Sequence, residues 1–308
     1  TSNHTQVVKI NAAYYERRDV EFDYVIVDEA AKATFPELAV SLNKAHKIIL
    51  VGDHQQLPPV LDTEIIRNNK EKLDEEGLAQ GIFERMYNMF PEDNKHRLTI
   101  QYRMHPTIGT LISHVFYNDE IQNGVEAQDR ELCIEGYEGI AIEWISTSKY
   151  STKERYEKEF DNNGKKSYQN YLERNIIERK LLELDSKLVK RTKVAVITGY
   201  GSQKYILQTM VKQHSFKHIE VDVDTVDAFQ GSQKDIILYS TVRSSGNKYG
   251  IGFLKSEARI NVAFSRARCL LIIVGDMKFL DNYKIRGNKF PEIIKYITES
   301  EGCRIIEK

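Results

Sequence analysis

Short apolar stretches rich in Val and Ile alternate with amphipathic stretches along the chain. Near-continuous apolar runs of this length are typical of strands in parallel sheets that are covered on both faces. The pattern therefore predicts an α/β protein with parallel sheets. The six predicted strands are YVIVD at 24–28, KIILVGD at 47–53, IAIEWI at 140–145, KVAVITGY at 193–200, KDIILYST at 234–241 and CLLIIVGD at 269–276.

The stretch from Tyr171 to about Lys190 has the clearest helical periodicity. Its apolar residues recur at helical spacing and form one stripe, which predicts a helix packed on the sheet. Asn170 and Glu173 stand where a capping pair is expected, although Ser or Thr is the usual first member. The stripe consists of Leu172, Ile176, Leu181, Leu184 and Leu188.

Two polar segments interrupt the alternation of apolar and amphipathic stretches. Residues 146–169 contain almost no aliphatic side chains and carry charges of both signs, so they predict a solvated insertion or mobile loop. A basic arm that binds nucleic acid is the alternative for this segment. The stretch PEDNKHR at 91–97 predicts a boundary between two domains, residues 1–96 and 97–308.

Composition narrows the class of protein. The 308 residues carry 44 basic and 45 acidic side chains, a formal net charge of −1, which excludes a uniformly basic nucleic-acid binder. The three cysteines are isolated, which argues against a disulfide framework or a zinc site. The longest apolar run, LLIIV at 270–274, is too short to cross a bilayer. We therefore expect an intracellular protein, cytoplasmic or in the nucleoid or nucleus, with no membrane partner.

Polar side chains follow the first two predicted strands. Asp28 and Glu29 come directly after YVIV, and Asp53 and Gln56 come after the next strand. The carboxyl ends of parallel strands meet at one edge of a sheet, where one carboxylate can bind Mg²⁺ and another can polarise an attacking water. The alternatives are an acidic strand end that caps the next helix and, for Gln56, an ordinary turn residue.

Arginines dominate the polar motifs of the second predicted domain. Tyr102 and Arg103 lie in QYRMHP at 101–106, and Arg266 lies in ARINVAFSRAR together with Arg259 and Arg268. Guanidinium groups neutralise charge on a transferring phosphoryl group, and a tyrosine ring stacks on a base. A buried pair with a carboxylate is the competing interpretation of Arg103.

A glycine marks the polar turn before the fifth predicted strand. Gly231 precedes KDIILYST and fits a place where the backbone approaches a ligand. A plain turn would require glycine equally.

The order DEAA, GDHQQLPPV, QYRMHP, VDAFQG and NVAFSRAR resembles the Upf-type branch of superfamily 1 helicases, which includes Senataxin and replication helicase-nuclease relatives. The resemblance spans residues 22 to 276. It implies two RecA-like domains, the first truncated at its N-terminus, with ATP bound in the cleft between them. Single-stranded RNA or DNA is the partner that it implies, running across both domains.

The resemblance also assigns roles to individual residues. In the first domain it implies that Asp28 holds Mg²⁺, Glu29 activates water and Gln56 senses the γ-phosphate. In the second it implies arginine fingers at Arg103 and Arg266. It places Tyr102 against adenine, Gly231 near the nucleotide and Gln233 near the ribose, and it places three residues near the nucleic-acid path: Thr198, Tyr200 and Thr225.

Four positions depart from the family pattern. Lys32 replaces Gln, Gly199 replaces Pro in the TPY motif, Gln233 replaces Glu and Ser265 replaces Thr. The amide at Gln233 weakens the expected contact with ribose, and the change at 199 weakens the assignment of Tyr200.

A phosphate-binding loop is missing from the sequence. No G-x-x-x-x-G-K-[ST] occurs, and GKKS at 164–167 lacks the first glycine and follows no predicted strand. Together with the initial Thr1, this predicts a fragment of an ATP-dependent helicase or translocase, with other domains outside the chain, and poor ATP hydrolysis by the 308 residues alone. The alternatives are a nucleic-acid-binding or regulatory module that does not unwind and an inert remnant.

Overall fold

The protein is described by a computed structural model that covers residues 22–59, 81–162, 165–245, 250–284 and 287–307. The chain divides into two compact units, Thr1–Arg97 and Leu98–Lys308. The division into RecA-like domains at residues 96 and 97 stays a prediction. No helix within the described ranges has the length and apolar character needed to cross a membrane.

The first unit contains a pair of parallel strands, β1 (Phe22–Val27) and β2 (Ala45–Leu50), in which Val27 lies opposite Leu50. Two helices accompany them, α1 (Phe35–Leu42) and α2 (Ile82–Met89). Both strands were predicted from their apolar runs, and both are confirmed. A small core joins the strands and helices and consists of Val27, Ala30, Ala33, Leu38 and Phe83.

A glycine fixes how the chain leaves β2. A Cβ atom on Gly52 would lie 2.8 Å from the backbone nitrogen of Ala31 and 3.1 Å from the ring of Phe83. Only a residue without a side chain allows this approach. The nearby hydrogen bonds from the Val51 N–H to the Val27 carbonyl and from the Ala30 N–H to the Val51 carbonyl, both 2.8 Å long, hold the two strand ends together.

The second unit is built on a six-stranded sheet in which every neighbouring pair is parallel. Its order is β12-β5-β11-β10-β8-β9. The predicted α/β class with a parallel sheet is therefore confirmed. The strands of the unit, including two short pairs outside the main sheet, are β3 (Ile100–Gln101), β4 (Gln122–Asn123), β5 (Ile142–Ser146), β6 (Lys158–Asn162), β7 (Lys165–Gln169), β8 (Thr192–Thr198), β9 (Ile219–Thr225), β10 (Lys234–Ser240), β11 (Ala267–Gly275) and β12 (Cys303–Glu307).

Helices pack against the sheet. The predicted helix near residues 171–190 is confirmed over Tyr171–Lys187, and most of its apolar stripe is buried against β8, β10 and β11. Asn170 caps it by accepting a hydrogen bond from the Glu173 N–H at 3.0 Å. The helices of the unit are α3 (Pro106–Phe116), α4 (Thr152–Arg155), α5 (Tyr171–Lys187), α6 (Gly201–Val211), α7 (Val226–Phe229), α8 (Glu257–Phe264), α9 (Met277–Asn282) and α10 (Phe290–Glu299).

One half of the predicted capping pair is wrong. The carboxyl group of Glu173 does not bond the N–H of Asn170, which is donated to Gln203 at 2.7 Å. Instead, Glu173 turns inward and accepts hydrogen bonds from residues at the end of β10. A capping glutamate and an inward-facing glutamate would both stand three positions after the cap residue, so the sequence alone could not distinguish the two roles of Glu173.

Residues 151–161 are mostly exposed, as a solvated insertion requires, but the expectation of a loop over residues 146–169 is wrong. The segment contains α4, which begins with a capping box formed by Ser151 and Glu154, and the antiparallel strands β6 and β7. Tyr168 is buried within it. A hydrogen bond from Ser148 to Asp276 and a ring contact between Tyr168 and Tyr200 anchor the segment, so it needs few of the aliphatic residues on which the prediction relied.

Candidate functional site

Two carboxylates stand at the carboxyl end of β1. Asp28 and Glu29 are both exposed, and the Asp28 Oδ1 atom accepts a hydrogen bond from the Glu29 N–H at 2.9 Å. Glu29 has a left-handed backbone, with φ 56° and ψ 33°, and so turns the chain sharply into the short helix Ala30–Lys32. Such a conformation costs about 1 kcal/mol for a non-glycine residue and is common at functional sites.

The turn after β2 lies at the same edge of the strand pair. Asp53 organises it by accepting hydrogen bonds from the Gln55 N–H at 3.0 Å and from the Gln56 amide Nε2 at 2.8 Å. The parallel register of β1 and β2 places Asp28, Glu29 and Gln56 at one end of the pair. An exposed carboxylate here fits Mg²⁺, because that ion keeps several waters and needs only one or two carboxylates from a protein. No group of three or more acidic, His or Cys side chains in the described ranges is arranged to hold a metal by itself.

In the second unit, Ser265 links the two predicted arginine fingers. Its carbonyl oxygen accepts a hydrogen bond from Arg103 Nη1 at 3.3 Å, and its hydroxyl oxygen accepts one from Arg266 Nη2 at 3.1 Å. Arg103 is exposed, whereas Arg266 is only 2% exposed and also donates to the Val262 carbonyl at 3.1 Å. The structure therefore brings Arg103 and Arg266 to one place, at the end of α8 and the start of β11.

The other arginines of this stretch have carboxylate partners. Arg259 lies 3.2 Å from Asp227, and Arg268 lies 2.8 Å from Asp235.

The turn before β10 approaches the same place. The Ser232 carbonyl oxygen lies 3.5 Å from Arg266 Nη1, and the Arg266 carbonyl accepts the Lys234 N–H at 3.1 Å. Gly231 has φ +81°, and a Cβ atom there would meet nothing within 4 Å, so its backbone angle rather than its surroundings calls for glycine. Gln233 is exposed in this turn.

The three residues predicted near nucleic acid lie at the carboxyl edge of the sheet, at the ends of β8 and β9. The two predicted arginine fingers, which both bond Ser265, lie at the other end of the strands, before β11. Thr198 ends β8 and is paired with Thr225, which ends β9. Thr198 is fully buried, and its hydroxyl has no hydrogen-bond partner among the described groups. Tyr200 is only 3% exposed, with its ring 5.3 Å from that of Tyr168 and 5.2 Å from that of Phe253.

The sequence analysis missed a buried polar cluster behind that edge. Glu173 accepts hydrogen bonds from Ser240 Oγ at 2.6 Å, Thr241 Oγ1 at 3.1 Å and the Val242 N–H at 2.9 Å. Burial raises the pKa of Glu173 to about 8. Val242 has φ 67°, which is rare for a β-branched residue, and the Arg243 N–H closes the turn by donating to the Thr241 carbonyl at 2.8 Å. The polar run STVRSS after a buried strand is the only sequence signal for this cluster.

Comparison with known proteins identifies the family. Two AAA domain family models match the chain, one over residues 78–278 and one over residues 8–64. The Regulator of nonsense transcripts 1 homolog of Neurospora crassa is 35% identical over 273 residues, which are 86% of this chain and 24% of that protein. The ATP-dependent helicase NAM7 of Saccharomyces cerevisiae is 36% identical over 295 residues, 94% of this chain and 28% of that protein.

The solved structures are more distant. An arterivirus nonstructural protein 10 helicase is 13% identical, with a TM-score of 0.40, and the match covers 84% of this chain and 40% of that one. That similarity is too low to support an argument. The chain spans about a quarter of the length of the curated relatives named above. The match of one AAA domain model to residues 78–278, which is most of the chain, together with the Upf1-type relatives, shows that this chain belongs to the AAA domain family, in the Upf-type branch of superfamily 1 helicases.

Proposed function

We propose that the chain is part of an ATP-dependent helicase or translocase that moves along single-stranded RNA or DNA. The observation that carries the proposal is the convergence of Arg103 and Arg266 on Ser265, because two guanidinium groups held together suit the charge of a transferring phosphoryl group. The relative NAM7, which is named as an ATP-dependent helicase, supports it.

In this proposal the first unit supplies the acidic chemistry. Asp28 holds Mg²⁺, Glu29 orients and deprotonates the attacking water, and Gln56 bonds the γ-phosphate. Bound Mg²⁺ supplies charge neutralisation at the phosphates. Support comes from the placement of the three side chains at the carboxyl end of β1 and β2, the edge at which open α/β sheets bind ligands.

The second unit supplies the basic and aromatic groups. Arg103 and Arg266 neutralise charge that develops on the phosphate oxygens, and Tyr102 stacks on the adenine ring. Gly231 and Gln233 contact the nucleotide from the turn before β10. The exposure of Tyr102, 63%, supports its role because a stacking ring must be open to its ligand.

Nucleic acid is proposed to cross the carboxyl edge of β8 and β9. Thr225 is the partly exposed member of the three residues there and contacts the strand, while the buried Thr198 and Tyr200 support the surface from beneath. Work on nucleic acid implies a location inside the cell, in the cytoplasm, nucleoid or nucleus.

Release of phosphate from ATP tests the enzymatic part. The 308 residues contain no G-x-x-x-x-G-K-[ST], so we expect little hydrolysis from them alone, with or without single-stranded RNA or DNA. We expect stimulated hydrolysis from a form extended upstream in its own reading frame that contains such a loop. Robust stimulated turnover by the 308 residues would refute the expected inactivity of these residues alone, and no stimulated turnover by the extended form would refute the proposal.

The second candidate function is that of a module that binds nucleic acid without unwinding it. The lack of G-x-x-x-x-G-K-[ST] in the 308 residues favours it. Fluorescence anisotropy with a labelled single strand separates the two. Tight binding that weakens with salt and does not depend on nucleotide favours the module, whereas binding that changes with ATP favours the motor. The absence of any binding would leave an inert remnant.

A further inference from the structure

Two peptide groups flank the Cα atom of Arg103, and in each of them both the N–H and the carbonyl group form hydrogen bonds. The peptide before its Cα atom offers the Tyr102 carbonyl and the Arg103 N–H, and the peptide after it offers the Arg103 carbonyl and the Met104 N–H. Two side chains, Gln101 and Arg130, bond all four of these groups.

Gln101 takes the two N–H groups. Its Oε1 atom accepts from the Arg103 N–H at 2.9 Å and from the Met104 N–H at 2.7 Å, and its Nε2 atom donates to the Met104 carbonyl at 3.0 Å. The same Nε2 atom also donates to Asn123 Oδ1 at 2.7 Å, so the amide group is held in place from strand β4.

Arg130 takes the two carbonyl groups. Its Nε atom donates to the Arg103 carbonyl at 2.9 Å and its Nη2 atom to the Tyr102 carbonyl at 2.7 Å. The third arm, Nη1, donates to the carbonyl of Asp129 at 2.9 Å and so fixes the plane of the guanidinium group. A planar fork spans two successive carbonyls in a way that the single ammonium group of lysine does not.

Two glycines leave the space that this arrangement needs. A Cβ atom on Gly109 would overlap Asn123 Oδ1 and lie 2.7 Å from Gln101 Nε2. A Cβ atom on Gly124 would overlap the ring of Tyr102, which therefore rests against the backbone of Gly124, the residue after β4.

We propose that Gln101 and Arg130 are positioning residues that fix the Tyr102–Arg103 backbone so that the stacking ring and the guanidinium group are already placed when nucleotide binds. The inference rests on the proposed nucleotide contacts of Tyr102 and Arg103. Strand β3 has only two residues, so the sheet alone does little to hold this segment, and a side chain at the end of a loose backbone would lose its orientation.

Hydrogen exchange of individual amides tests the positioning. In the 308-residue chain, Gln101→Leu should speed hydrogen exchange at the Arg103 and Met104 amides at least tenfold. Arg130→Met should have the same effect, because it removes the hydrogen bonds to the Tyr102 and Arg103 carbonyl groups. Amides of the central sheet, such as that of Leu271, should exchange at the same rate as in the wild type. A role in overall folding would instead speed exchange throughout the unit and lower the melting temperature.

Two further variants sharpen the result. Gln122→Leu removes an exposed glutamine from the neighbouring strand and should leave exchange at Arg103 and Met104 unchanged. Arg130→Lys keeps the charge but loses the fork, so it should behave like Arg130→Met. Unchanged exchange in Gln101→Leu and Arg130→Met, or full rescue by lysine, would overturn the proposal.

A fluorescent ATP analogue with a modified ribose then tests the link to the nucleotide. If the wild-type chain binds it, Gln101→Leu and Arg130→Met should raise the dissociation constant at least tenfold. If the variants bind as tightly as the wild type, the two residues do not act on nucleotide binding. If the wild type does not bind, the proposed nucleotide contacts fail for this chain, while the exchange rates still decide whether the two residues hold the segment.

Discussion

The carbonyl oxygen of Ser265 accepts a hydrogen bond from Arg103 at 3.3 Å, although 162 positions separate the two residues in the chain. The QYRMHP and NVAFSRAR stretches are thereby joined at one point of the second unit. Arg266, the next residue, bonds the hydroxyl group of the same serine. The three residues form a connected set that can be dissected by substitution.

The two arginines should differ in their contribution to stability. Arg103 is exposed, so Arg103→Ala should lower the free energy of unfolding by less than about 1 kcal/mol. Arg266 is buried and bonds Val262, Ser232 and Ser265, so Arg266→Ala should cost about 2–4 kcal/mol. Urea denaturation measures both, with the exposed Arg191→Ala as a control. Equal losses at the two positions would contradict the difference in burial.

Stability should fall with rising pH through the ionisation of Glu173. Its pKa is raised to about 8 by burial, above the ordinary value of 4.5, so between these values the folded state holds a proton that the unfolded state has lost. Its contribution is fully present below pH 4.5 and is lost as pH rises through about 8. Urea denaturation at several pH values should show the wild type losing stability relative to Glu173→Gln across this window. A difference that does not change with pH would refute the assignment.

A buried ion pair should show strong coupling in a double-mutant cycle. Glu143 is fully buried and contacts Lys180 at 3.1 Å, the Tyr137 hydroxyl at 3.0 Å and Arg304. Glu143→Leu leaves the Lys180 ammonium group buried without this partner and should cost about 3–5 kcal/mol. Adding Lys180→Met should recover part of that loss. Additive losses in the double variant would show that the two charges do not interact.

The ends of β10 and β11 pack so closely that even a methyl group at Gly275 should lower the free energy of unfolding. A Cβ atom on Gly275 would overlap Thr241 Oγ1 and lie 2.8 Å from its methyl carbon, and Thr241 also bonds Glu173. Gly275→Ala should therefore cost about 1–3 kcal/mol, as overpacking typically does. Thr241→Ala removes the two closest atoms and leaves only the Cβ atom, at 2.9 Å, so the double variant should lose less than the sum of the two single changes. Denaturation midpoints of the four proteins give the answer.

Strands β5, β8, β10 and β11 could be predicted from sequence because nearly all of their residues are buried. The other two predicted strands are also present, as β1 and β2, although most of their residues are exposed in the first unit. Strands β9 and β12 were missed because they form the two edges of the sheet and carry charges that an apolar run excludes, such as Glu220, Asp222 and Arg304. Edge strands commonly carry such charges, which discourage pairing with other chains.

The candidate site was accessible to sequence reasoning only in part. The two acidic motifs could be placed at the ends of predicted strands, but QYRMHP follows no predicted strand and no spacing rule brings Arg103 to Ser265 across 162 residues. The resemblance to the family implied one role for Arg103 and Arg266, and in the structure both residues bond Ser265. Gln101 opens the QYRMHP motif, but neither its role nor that of Arg130 could be inferred, because side chains that bond backbone groups have no periodicity and no characteristic partner type.

Strand β12 completes the edge of the sheet beside β5, and Arg304 on one strand reaches Glu143 on the other over 161 positions. During synthesis on the ribosome, β5 and the acidic Glu143 therefore emerge long before their partner strand and its guanidinium group. Until β12 leaves the exit tunnel, β5 has an unpaired edge on that side and Glu143 lacks that counter-ion. Chaperones that cover exposed strand edges would be most needed in that interval, and slow translation of the segment that precedes β12 would lengthen it.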